Sequence, residues 1–139
     1  MICFIAAVCA AEDVTLEELK RRAEAAEGGR RADLYVEVAQ RQIETADSRF
    51  TEGKIEEGQE AVEDAVAAAE KASNAAVESR SRMKQTEIAL RRASRRLADI
   101  SRTLAFDDRK RTEEAVIKLE KIRTDLLEAM FAPKKKDKS

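Results

Sequence analysis

In 139 residues the chain carries 40% charged and 43% hydrophobic residues, with four glycines, one proline and no histidine or tryptophan. That length suffices for one domain with a core of its own. Without histidine, serine–histidine hydrolysis and the Glu-x-x-His chemistry of di-iron helical proteins are excluded. Runs of alternating β-branched residues, which a sheet would need, are missing. Abundant Ala, Glu, Lys, Leu and Arg at 3.5 to 3.6 spacing instead predict an all-α chain, an antiparallel helical bundle of four main helices with a short N-terminal accessory helix.

Residues 1–10, Met1-Ile-Cys-Phe-Ile-Ala-Ala-Val-Cys-Ala10, are apolar but far short of the roughly 20 residues that span a bilayer. They fit the apolar core and cleavage region of a secretory signal peptide, with Val8 and Ala10 as the small residues before a cut. The usual positive start is missing, which leaves a buried N-terminal segment as the alternative. A lipoprotein signal fits less well, because Val8 precedes Cys9. Cleavage after Ala10 would remove Cys3 and Cys9, the chain's two cysteines, and with them any disulfide or thiol chemistry. The expected mature domain is 11–132, outside the cytoplasm and with no transmembrane span.

Helix A starts at Thr15-Leu-Glu-Glu18, a capping box, and Gly28-Gly29 is expected to end it. Helix B covers about residues 32 to 51, with Val36, Ala39, Ile43, Ala46 and Phe50 at 3-4 spacing. Gly53 marks the turn into helix C, about 54 to 78, where Gly58 should weaken the helix by about 1 kcal/mol relative to alanine. Helix D runs from about 82 to 105. Phe106-Asp-Asp-Arg-Lys-Arg111 reads as a loop, with Phe106 plugging the bundle end and Thr112 capping helix E. Val116, Leu119, Ile122, Leu126 and Met130 line that helix's buried face. Pro133 and the lysine-rich segment 133–139 read as a disordered basic tail.

Two adjacent blocks dominate the pattern. Residues 52–78 hold eight acids and two bases, net −6, and residues 79–106 hold eight bases and two acids, net +6. One apolar register, Val62, Ala69, Ala76, Met83, Leu90, Leu97, Leu104, runs beneath both. No glycine or proline separates them, so one rod of about 50 residues, about 75 Å long, competes with a hairpin turning at 79 to 82. The hairpin would set Glu70 beside Arg91 and Asp64 near Arg95 and Arg96, and an antiparallel dimer of rods would make the same pairs between chains.

Arg91, Arg92, Arg95, Arg96 and Arg102 form the strongest basic patch and are the candidate anion or partner contacts. Stacking aromatics and nucleic-acid motifs are missing around them, which makes nucleic acid the lesser reading. The ordinary reading pairs them with helix C's acids. The acids Glu56, Glu57, Glu60, Glu63 and Asp64 read as a solvated or arginine-paired face, since no calcium-loop spacing accompanies them. Asp107-Asp108-Arg109 reads as a capping turn. No catalytic, cofactor or metal residue emerges. The expected function is therefore a non-enzymatic protein-interaction or structural module with a protein partner or self-association; the alternative is anionic-ligand or nucleic-acid binding through residues 80–102.

Gly53-Lys-Ile-Glu-Glu-Gly-Gln-Glu-Ala-Val-Glu-Asp-Ala-Val66 resembles the second half of a tetratricopeptide repeat, in which a glycine turn precedes a helix rich in small residues. With helix B the resemblance covers one hairpin and implies a peptide-binding surface. The signal-like start, amphipathic helices and lysine tail together resemble exported bacterial helical proteins of uncharacterised function, acidobacterial ones among them; this implies export and transfers no activity.

Overall fold

The computed structural model describes residues 14–132, and the expected signal segment, both cysteines and the basic tail lie outside them. The chain is all-α, with helices α1 (Leu16–Ala25), α2 (Gly28–Thr51), α3 (Ile55–Ser79), α4 (Met83–Thr103) and α5 (Phe106–Phe131). No helix among these residues is long and apolar enough to cross a membrane.

Local chemistry explains most boundaries. The Thr15 hydroxyl accepts the Glu18 amide at 3.2 Å, the first half of the expected capping box. Glu18's carboxylate turns instead to Arg21 and Arg22, at 2.9 and 3.4 Å. Helix α1 stops at Ala25, before the two glycines, and Gly28 opens α2 at φ +60°. Gly29 serves a close approach: a Cβ there would collide with the side chains of Ser81 and Arg82. Gly53, at φ +78°, makes the turn into α3 as expected.

The link between the charged blocks is a turn at residues 80–82, which rules out the rod. Arg80 sits in the left-handed region at φ 50°, the Arg80 amide donates to Val77 and the Ser81 amide donates to Ala76. That is the Schellman closure of a helix, built on arginine where glycine is usual. The expected loop at 106–111 is instead the start of α5. Asp107 and Asp108 occupy its first turn, where negative charge suits the helix dipole. Thr112 is buried mid-helix and donates to Gln59 at 3.2 Å, so it is no cap. Phe106 is 85% exposed and plugs nothing.

Helix α2 packs most extensively on α3, and α4 on α5; α2 also touches α1 and α4, and α3 also touches α5. The contact between α3 and α4 is the slightest, and α2 and α5 do not meet among the described residues. Each apolar stripe faces the middle. Val62, Ala69, Ala76, Leu90, Leu97 and Leu104 are all buried, with Met83 partly so at the turn. Leu19 and Ala23 seat α1 on this core.

Candidate functional site

The two charged blocks do not pair with each other. Among the described residues no ion pair joins α3 to α4. Glu56 and Glu63 both hold Arg111 of α5, at 3.1 and 2.7 Å, and Glu57 holds Arg49 of α2 at 3.3 Å. The cation side of α4 looks elsewhere too. Arg82 meets Asp33 at 3.0 Å and Arg96 meets Asp47 at 2.7 Å, both on α2. Arg91 and Arg102 take partners on their own helix, Glu87 at 3.1 Å and Asp99 at 2.9 Å. The expected Glu70–Arg91 and Asp64–Arg95/Arg96 contacts are therefore corrected.

The physical reason is simple. Amphipathic helices around one core turn their apolar faces inward, and only closely packed neighbours bring the flanks of their polar faces together; α3 and α4 make the slightest contact of the touching pairs. A common apolar register therefore does not by itself make two helices close neighbours or bring their charges into contact. With α3 and α4 across the packing from one another, charge neutralisation falls to the flanking helices.

That leaves two exposed faces. On α4, Arg92 and Arg95 are exposed with no carboxylate partner among the described residues, and Arg96 and Arg102 are exposed at the ends of their ion pairs. Arg91 is half-buried. Arg92 and Arg96 border an open groove toward α2, floored by Ile43 and Ala93. On α3, Glu60, Asp64, Glu70 and Glu78 are exposed and likewise unpaired among the described residues. Sequence reading found the arginines but covered them with the wrong helix.

Among the described residues one ionised group is buried, and sequence reading missed it. Glu87 of α4 is 5% exposed and accepts from Arg123 of α5 at 2.8 Å and from Arg91 at 3.1 Å. The Arg123 hydrogen bond lowers its carboxyl from the ordinary 4.5, against burial, which raises it; Arg91 adds to the lowering. Glu87 falls at the edge of α4's apolar stripe, three residues before Leu90, and an acid at core spacing was the available signal. A second buried polar contact ties α3 to α5, where Gln59 accepts from Thr112 and donates to the Asp108 carbonyl at 2.8 Å. Both are interhelix fasteners, and no buried side-chain nitrogen or oxygen among the described residues lacks a hydrogen-bond partner.

Beyond these, Ile117 and Phe131 stand out on α5, 68% and 82% exposed. No group of three or more carboxylates among the described residues is arranged to hold a metal ion. The chain matches no protein-family model, no curated protein and no solved structure.

Proposed function

We propose that this chain is a non-enzymatic interaction module that recognises partners through charged helix faces. In this reading it is an antiparallel bundle of α2 to α5 with α1 as an accessory helix. Two sets of contacts support the arrangement. Phe50 lies against Gly58 and Gly28 near Ser79, so α2 and α3 meet at both ends in opposite senses. Asp33–Arg82 and Asp47–Arg96 advance together along α2 and α4, as helices running in the same direction require.

The observation that carries the reading is the pair of unneutralised faces, Arg92 and Arg95 on α4 against Glu60, Glu70 and Glu78 on α3. Charge complementarity of this kind steers encounter and selects partners more than it adds affinity. Titration of the full chain with an acidic amphipathic helical peptide tests it. Salt-sensitive binding, lost in Arg92→Glu/Arg95→Glu, supports the reading, and heat signals indistinguishable from buffer reject it.

A second reading, capture of a phosphate backbone, is favoured by the same unpaired arginines. Submicromolar binding of a generic duplex at physiological salt, lost in Arg91→Ala and Arg95→Ala, would put it first. Export rests on the Met1–Ala10 segment, and an intact mass beginning at Ala11 in protein from the native host is the expected outcome.

A further inference from the structure

We propose that the protein associates with further copies of itself head to tail, the acidic face of α3 in one copy docking on the arginine face of α4 in the next. This deepens the interaction reading by naming the partner. The charges concerned are equal and opposite by block, −6 over residues 52–78 and +6 over 79–106. The fold keeps them apart within one chain, and part of each block stays without an ion-pair partner among the described residues: Glu60, Asp64, Glu70 and Glu78 on α3, and Lys84, Arg92 and Arg95 on α4.

The dimensions match. At 3.6 residues per turn, Lys84, Arg91, Arg95 and Arg102 lie within an arc of about 40° on α4, and Glu60, Glu70 and Glu78 within an arc of about 80° on α3. Both stripes run 18 residues from first to last, about 27 Å. Set antiparallel, they bring Glu78 opposite Lys84, Glu70 within one residue of Arg91 and Glu60 opposite Arg102. Lys71, the base on α3 between Glu60 and Glu78, shares their face to within about 20° but turns its amine over the Tyr35 ring, 5.5 Å from the centroid. On α4 the acids are Glu87, buried under Arg91 and Arg123, and Asp99, held by Arg102.

The symmetry follows from the packing. The two faces differ and point in different directions, so docking uses one face of each copy and leaves the other free. Such a heterologous contact extends into chains or closes into rings. Exposed ion pairs contribute about 0.2 to 1 kcal/mol each, so the association is weak and salt-sensitive.

Sedimentation of the full chain across a concentration series, in dilute buffer and at high salt, provides the test. The mass should climb above the 15.5 kDa monomer in dilute buffer and return to it at high salt. Arg95→Glu/Arg102→Glu and Glu60→Arg/Glu70→Arg should each remain monomeric with unchanged helicity. Mixed in equal amounts, the two variants should reassemble, because the first keeps its acidic α3 and the second its basic α4. A wild-type chain that stays monomeric in dilute buffer overturns the proposal, and so does a mixture that fails to reassemble. If the acidic peptide still binds in either case, the interaction reading survives without a second copy as partner. Duplex binding by a strictly monomeric chain overturns the proposal in favour of a polyanion.

Discussion

The α2–α3 hairpin and the α4–α5 hairpin solve the same packing problem with opposite materials. Between α2 and α3 the seam is small: Ala32, Ala39 and Ala46 face Ala61, Ala65, Ala69, Ala72 and Ala76, all buried. Phe50 fits against Gly58, where a Cβ would strike its ring. Between α4 and α5 the seam is large, with Leu90, Leu97, Ile100, Leu119 and Leu126 fully or almost fully buried. Bulky side chains hold helices farther apart, and at their margin this seam admits an ionised Glu87 with its two arginines. The alanine seam fails by overfilling, the leucine seam by emptying.

The largest effect should therefore come from emptying the leucine seam. Leu97→Ala is expected to lower unfolding free energy by about 2 to 5 kcal/mol, through lost burial and a residual cavity. Chemical denaturation checks it, and a change below 1 kcal/mol would mean that Leu97 does not sit in a packed core. Next comes Arg123→Ala, which takes a charged hydrogen bond from Glu87 and should cost about 1.5 to 3 kcal/mol.

The same carboxylate gives a pH signature. Its folded pKa lies below its unfolded value, so its contribution is complete above the unfolded value and is lost as pH falls through the folded one. Below about pH 5 the wild type should lose stability more steeply than Glu87→Gln. Parallel curves would show that this group is not the one titrating.

In the alanine seam, Gly58→Ala sets two terms against each other. Helix propensity favours alanine by about 1 kcal/mol, but overpacking against the buried Phe50 ring costs about 1 to 3 kcal/mol. Net destabilisation of up to about 2 kcal/mol is expected, and Phe50→Ala in the same chain should remove the overpacking part. A stabilised Gly58→Ala would mean that the ring moves aside freely. The smallest effect is a gain. Arg80→Gly relieves a left-handed arginine, worth about 1 to 2 kcal/mol, less about 0.4 to 1 kcal/mol for the looser unfolded chain. A thermal midpoint that rises slightly fits this, and one that falls does not.

Much of this was legible from spacing alone. The five helices, the Gly53 turn and the apolar register from Val62 to Leu104 follow from periodicity and one breaker. The turn at 80–82 left only the charge change and the similar lengths of the resulting helices as its signals, because its left-handed positions carry arginine. The start of α5 looked like a loop because six polar or aromatic residues hid a helix whose first turns are solvated. Its anchor, Gln59 with Thr112, spans 53 positions and leaves no local trace. The surface patches were found, but their partners were not. Which helix neutralises which depends on where the apolar stripes point in three dimensions, and two matched blocks adjacent in sequence invite the wrong answer.

Within one chain, α3 and α4 do not satisfy each other's charge. Paired cysteines in a Cys3→Ser/Cys9→Ser background test it most directly, at high salt and low protein concentration so that only intrachain closure is read. Asp47→Cys with Arg96→Cys should close an intrachain disulfide readily, because those side chains meet at 2.7 Å. Glu70→Cys with Arg91→Cys should close none. A 70–91 disulfide forming within single chains as fast as the 47–96 one would contradict the account.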